Sequence, residues 1–438
     1  MTFKEDLLQY IWKYRLFEAG SLITRKGETI HIANPGIQNF HSGPDFKNAK
    51  IYIDNSVYNG NIELHIDPSD WYAHSHHLDH KYNSVILHVS LNSSNININT
   101  LDGKDIPQLI LKDKINRSCL LKYDLLLKNS LKNIPCAKLF SEVSSMLPGI
   151  YTELLHQRII RKSHDVNKIL ITNNDHYSRS FVVYLIQNFG MKFNSEGFKA
   201  LSEAIDPDSL LNTNSISKEA LLFGQAGLLS KVPSGPYEKK LIELYQKIKK
   251  ERNLKEIKPS KWKFTRIRPN NFPTIRIAQL STILSSTKSL WNDILSSEDV
   301  EEIRDLFRKE ASKYWNTHYT FGKESSFVRK IVGNKSIDHI VINVIVPFMY
   351  HYSNINGRPD FVERSLNLLY QCKPEDNAIV SIWEELGVNV NNAGQTQALT
   401  QLKTEFCDKF KCLQCKLGQK LLKRTTPIDN NGKNSIFL

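Results

Sequence analysis

No stretch of this chain stays apolar for the ~18–20 residues that a membrane-spanning helix needs, so no membrane partner is expected. The opening residues, MTFKEDLLQYIWKYRLF, are acidic early and show no small-residue cleavage site after an apolar core, unlike a secretory signal peptide. Cysteine is sparse, with 6 in 438 residues, which suits a reducing, cytoplasmic setting rather than a disulfide scaffold. No fixed-period repeat is visible. What is present is ordinary for a globular protein: 40% hydrophobic residues and length enough for two to three domains.

The net charge of +13 is unevenly placed. Residues 1–125 carry 13 Lys/Arg against 14 Asp/Glu, whereas 231–268 carry 13 Lys/Arg against 4 Glu. A basic block of that density can neutralise phosphates or serve as a solubilising surface.

Strand signals crowd the first quarter. Residues 3–17 read as an amphipathic helix, and Leu22–Arg25 with Thr29–Ile32 as a short hairpin. Ile51 and Ile53 alternate with polar neighbours, a turn is expected at Tyr58-Asn59-Gly60, and Asn61–Ile66 forms the next strand. Val85–Leu91 is apolar nearly throughout, as in a strand buried on both faces. From about residue 118 helical periodicity takes over, in some dozen segments that include 150–163, 178–190, 217–229, 236–252, 273–286, 298–313, 337–352 and 394–406, while 423–438 looks loosely ordered. The expected class is α+β: a small mixed α/β domain over 1–125, then a large all-α domain over 126–438.

The chemistry concentrates in GPDFKNAKIYIDNSVYNGNIELH, residues 43–65. Side chains alternate across a strand, so Glu63 and His65 share one face while Ile62, Leu64 and Ile66 share the other. Asp45, following a Gly-Pro turn, can meet the Glu63/His65 face. Two carboxylates and an imidazole make a plausible site for Mg²⁺ or Mn²⁺. Six of the 14 histidines fall between His65 and His88, without a fixed zinc spacing.

Two further constellations lie in the helical part. In Lys261-Trp262-Lys263-Phe264-Thr265-Arg266-Ile267-Arg268-Pro269-Asn270-Asn271-Phe272-Pro273, basic and aromatic residues interleave. Lys263, Arg266, Arg268 and Arg276 are the expected nucleic-acid contacts, while the aromatics serve equally as core anchors. Cys407, Cys412 and Cys415 have metal-ligand density, and a fourth thiolate is sought in Cys136, with Cys372 the runner-up. Zinc and an iron–sulfur cluster are both open, in a structural role.

Pro44-Asp45 and Glu63-Leu64-His65 resemble the PD-(D/E)XK nuclease superfamily, with His65 in place of the lysine. The resemblance implies a metal held by Asp45 and Glu63, a water oriented or activated by His65, and a further acidic residue on a preceding helix, for which Glu5 and Glu18 stand available. Certain RecB-like nucleases in that superfamily clasp an iron–sulfur cluster with one distant cysteine and three near the C-terminus. Over nearly the whole length, strings such as Ile11-Trp12-Lys13-Tyr14, Gly60-Asn61-Ile62-Glu63-Leu64-His65, Ile134-Pro135-Cys136-Ala137 and Leu222-Phe223-Gly224-Gln225-Ala226-Gly227 resemble the domain-of-unknown-function 2851 family, known mainly from Bacteroidetes. Three functions are therefore open to this chain: a metal-dependent nuclease, an inactive nucleic-acid or ribonucleoprotein binder, and a helical scaffold with a structural zinc and protein partners unknown.

Overall fold

The computed structural model describes residues 3–18, 20, 22–128 and 134–423; the expected loose tail lies almost wholly outside them. Two compact units emerge: Met1–Ile150 with Leu402–Leu438, and Tyr151–Gln401. The α+β class holds, with the sheet first and a large helical region after it. The first unit reaches beyond the expected 1–125, because the last helix, Lys416–Lys423, packs on the helix Arg117–Lys128 beside the sheet. No helix of the described residues is long and apolar enough to cross a membrane.

In the first unit, helix α1 (Glu5–Tyr14) precedes a sheet of six strands, β1 (Ile30–Asn34), β2 (Ile37–Gln38), β3 (Phe46–Ile53), β4 (Ser56–His65), β5 (Val85–Ser90) and β6 (Gln108–Ile110). Their order is β1-β3-β4-β5-β6, with β2 also on β3. The pairs among β1, β3 and β4 are antiparallel, and β4–β5 and β5–β6 are parallel. Every residue of β5 is buried, as its unbroken apolar run implies.

The hairpin turn falls at Asp54-Asn55 rather than at Tyr58-Asn59-Gly60. Asp54 takes the left-handed conformation that short polar residues tolerate (φ 49°), so the chain reverses there. Gly60 instead lies inside β4, where a Cβ would come within 2.5 Å of Ile86 Cγ2 and 2.6 Å of the Ser84 carbonyl oxygen. The glycine thus permits close approach of β4 and β5.

Near the turn Ile53 pairs with Ser56 and Ala49 with Gly60, but farther along Phe46 pairs with Ile62. Lys47 and Asn48 therefore oppose Asn61 alone, a β-bulge, with Asn48 at φ 57° and its N–H donating to Asn61 Oδ1 (3.2 Å). The burial of Phe46, Ala49, Ile51 and Ile53 records the same phase shift.

The second unit is helical except for a short hairpin of His318–Thr320 with Lys323–Glu324. Expected helices at 236–252 and 273–286 appear as Pro236–Arg252 and Pro273–Ser285. The segment 298–313 is helical only over Val300–Phe307, and Leu290–Ser296 and Pro207–Leu211 are helices too short for periodicity to reveal. Gly224 allows two helices to meet: a Cβ there would sit 2.2 Å from the Tyr245 ring. Trp262 is a core anchor, packing edge-on against Phe198 and donating its indole N–H to the Ala226 carbonyl (2.7 Å).

Asn48→Val forces a β-branched residue into the left-handed region and should cost about 1–3 kcal/mol, whereas Asn48→Gly should be tolerated. Thermal melts of the two variants measure the difference. Equal stability would mean that the bulge is not held by this backbone conformation.

Candidate metal centre

The bulge decides which way Asp45 faces. One step beyond the Phe46–Ile62 pair, Asp45 lies opposite Glu63, and cross-strand partners share a face. The Asp45 N–H donates to Glu63 Oε2 (2.9 Å), and the Leu64 N–H donates to Asp45 Oδ2 (3.1 Å). From α1, the Gln9 amide donates to Asp45 Oδ1 (2.8 Å) and to Glu5 Oε1 (3.4 Å), so Glu5 joins as a third carboxylate. Residues five and nine lie one helical turn apart on the same face of α1.

Imidazoles complete the site. His65 follows Glu63 on the same face of β4, with Nε2 3.7 Å from Glu63 Oε1. Its Nδ1 pairs with Nε2 of His88 on β5 at 2.9 Å. The short helix α2 (Asp70–Ala73) and the turns after it place His74 and His76 over the end of β4. This segment is pinned by Trp71 and Tyr82, buried with Val85, Ile98 and Ile106. His76 stacks on Tyr82 (3.9 Å between centroids) and sets Nε2 3.2 Å from Glu63 Oε1. Ligand atoms of His65, His74 and His76 all lie within 4.8 Å of one another.

Electrostatics set this cluster apart. Burial, then the Glu63 and Glu5 carboxylates, push Asp45 up to about 8. Burial pushes Glu63 to about 8, with Glu5 adding and the Asp45 N–H opposing. Glu5 is raised as well, chiefly by burial. Burial and the rings of His88, His76 and His74 hold His65 down to about 2, and burial holds His88 at about 3. His65 is therefore neutral, and its buried Nε2 has no hydrogen-bond partner. Three carboxylates that resist ionising together, beside a buried imidazole nitrogen without a hydrogen-bond partner, make a donor set that a divalent cation would satisfy.

The expected trio Asp45, Glu63 and His65 is thus brought together. Glu5 is one of the two acidic residues considered on the preceding helix, and His74 and His76 fall in the histidine-dense stretch, whereas Gln9 and Tyr82 were not singled out from the sequence. The signals available were the Glu5/Gln9 spacing and His74-x-His76. Glu18, the other acidic candidate, has its backbone N–H on the Lys114 carbonyl, and no contact ties it to this cluster among the described residues.

The basic residues of the second unit divide. Lys263, Arg266 and Arg268 are exposed, and none forms an ion pair among the described residues. Arg276, expected beside them, is buried instead, because the helix Pro273–Ser285 is enclosed on nearly every side.

In the first unit, Cys136, Cys407, Cys412 and Cys415 are buried and line one small cavity with Leu126, Pro135, Phe406 and Gly418. Cys372, the alternative fourth ligand, caps the helix Pro359–Gln371 of the second unit. Gly418 lets the last helix close on the CxxC turn, since a Cβ would meet the Cys412 carbonyl at 2.2 Å. Burial pushes Cys136 and Cys412 to about 12 and raises Cys407 and Cys415.

Residues 5–378 match the family model described as "Protein of unknown function (DUF2851)", so the match takes in the carboxylate–histidine cluster and stops short of Cys407. No curated protein and no solved structure matches the chain.

Raised carboxylate pKa values make stability fall with pH. The contribution of Asp45 and Glu63 is fully present below about 4, where they protonate when unfolded, and is lost as pH rises through about 8. Asp45→Asn should therefore stabilise the metal-free protein on the order of 2–4 kcal/mol at pH 8, the gain shrinking toward pH 4. Melts from pH 4 to 9 in a chelator test this, and a gain independent of pH would refute it.

Proposed function

Since the chain belongs to the DUF2851 family, whose description names no activity, we propose that its first unit is a divalent-metal-dependent phosphodiesterase acting on nucleic acid. The carrying observation is the convergence of Glu5, Asp45 and Glu63 with His65, His74 and His76, His65 Nε2 being buried and without a partner. The likeness of Pro44-Asp45 and Glu63-x-His65 to the PD-(D/E)XK pattern, with Glu5 on the helix before the sheet, supports the phosphodiester class.

Glu63, Asp45 and His65 would hold the metal, with Glu5, His74 and His76 completing or sharing its shell. When bound, the cation supplies Lewis-acid polarisation of the phosphoryl group and a lowered pKa for the attacking water. The imidazoles move the preference from Mg²⁺ toward Mn²⁺ or Zn²⁺, since nitrogen donors suit the transition metals better. His65 does not replace the lysine as a fixed positive charge, because burial keeps it neutral. Its role is that of a ligand, oriented through His88 as metal-bound histidines are by their second nitrogen. Gln9 bridges Glu5 and Asp45 and fixes their spacing. The exposed Lys263, Arg266 and Arg268 supply phosphate contacts on the second unit.

Mn²⁺ should promote cleavage of at least one of single- or double-stranded DNA or RNA, and Glu63→Gln should lower the rate by about 10²–10³ or more. Metal binding without cleavage of any of the four would favour the inactive binder, and no metal-dependent rise in melting temperature would remove the metal site itself.

The cysteine cavity has a separate role in this proposal, a structural metal that ties the C-terminal segment to the first unit. Four buried thiols around one cavity suit either a single four-coordinate zinc or an iron–sulfur cluster. Anaerobically purified protein should contain about one zinc per chain or show a brown iron chromophore by elemental analysis and absorbance, and Cys412→Ser should lower its melting temperature while leaving Mn²⁺ binding intact. Metal-free protein of undiminished stability would rule the site out.

A further inference from the structure

Within the second unit, Arg276 and Lys330 are only 8% and 2% exposed, and both line a polar cavity of about 220 Å³. Neither forms an ion pair among the described residues. Arg276 donates to Asn271 Oδ1 (2.7 Å), Ser336 Oγ (3.0 Å) and Gln279 Oε1 (3.4 Å), and approaches Met191 Sδ (3.8 Å), all of them neutral. Lys330 Nζ donates to the Val328 carbonyl (3.0 Å) and lies over the Tyr319 ring (3.9 Å). Arg329, at the same cavity, is already neutralised by Glu310 (2.6 Å). Among the described residues, no carboxylate lines the cavity.

A buried cation without a counter-charge is costly, and natural proteins pair such groups. Burial lowers Arg276 only to about 10, so it remains charged at neutral pH. The surroundings offer neutral hydrogen-bonding groups and open volume beside the guanidinium.

We propose that this cavity binds a phosphate group, with the Arg276 guanidinium as its principal contact, Lys330 as the second positive charge, and Asn271, Gln279 and Ser336 as polar walls. Guanidinium geometry suits a tetrahedral oxyanion, and two buried charges favour a dianion over a carboxylate. The volume exceeds one phosphate, which leaves room for an ester substituent. This site is independent of the carboxylate–histidine cluster, and neither proposal requires the other.

The test is a melting-temperature and calorimetric titration of the full chain with inorganic phosphate, at ionic strength matched with chloride. Saturable stabilisation by phosphate, and at least tenfold weaker binding of acetate, are expected. Ser336→Asp places a carboxylate beside Arg276; it should raise the melting temperature of the ligand-free protein and weaken phosphate binding at least tenfold. Arg276→Gln should lose the phosphate response, and Glu63→Gln should keep it. A nucleoside 5′-monophosphate that binds tighter than phosphate identifies a nucleotide as the source. Preference for a 5′-phosphorylated over a 5′-hydroxyl oligonucleotide identifies a nucleic-acid end. No response to any of these ligands, or an undiminished phosphate response in Ser336→Asp, overturns the proposal.

Discussion

One extra residue in β3 orients the centre of the first unit. With regular pairing continued from the Asp54-Asn55 turn, Asp45 would face Leu64, on the apolar side of the sheet. The bulge at Lys47-Asn48 advances the register by one, and Asp45 meets Glu63 instead. A strand has only two faces, so a single inserted residue separates a carboxylate in the core from a carboxylate in the site. His65 then follows from the two-residue period of β4, and His88 from the parallel pairing of Glu63 with His88 on β5.

Around this register the fold assembles groups that oppose one another. Glu5, Asp45 and Glu63 repel, and burial deprives them of the water that would moderate it. The neighbouring packing supplies the compensation: Trp71 and Tyr82 lock the loop that carries His74 and His76, and Trp71 donates its indole N–H to the Asn99 carbonyl (3.1 Å). Rigid apolar support under a strained polar cluster is what a preorganised site requires. The cysteine cavity has a different character. Its thiols are enclosed by Leu126, Pro135 and Phe406, beside the last helix, Lys416–Lys423, which packs on the helix Arg117–Lys128.

Positive charge in the second unit takes two forms that composition cannot distinguish. Lys263, Arg266 and Arg268 sit on an exposed segment, where solvent screens them. Arg276 and Lys330 are enclosed, so each charge must be answered locally by hydrogen bonds, by an aromatic face, or by a ligand. The buried carboxylate Glu219 shows the opposite solution within the same unit: Tyr237 and Trp315 donate to it, as does Ser312 more distantly.

Local chemistry was legible in the sequence where it acts locally. Alternation placed Glu63 and His65 on one face, the apolar run made β5 a fully buried strand, and Pro236 and Pro273 marked helix starts that the structure keeps. The CxxC spacing pointed to a cysteine cluster, although spacing could not choose between Cys136 and Cys372. Only the tertiary structure decided the rest. Gln9 reaches Asp45 across 36 residues and ties it to Glu5, and His76 reaches Glu63, with His74 beside His65, through a loop whose path depends on Trp71 and Tyr82. Arg276 looked like a surface contact by its basic neighbours and is interior because its helix is enclosed. The division has one physical cause: periodicity and turn chemistry act over a few residues, whereas register, burial and the meeting of distant side chains are set by which surfaces of the folded chain exclude water together.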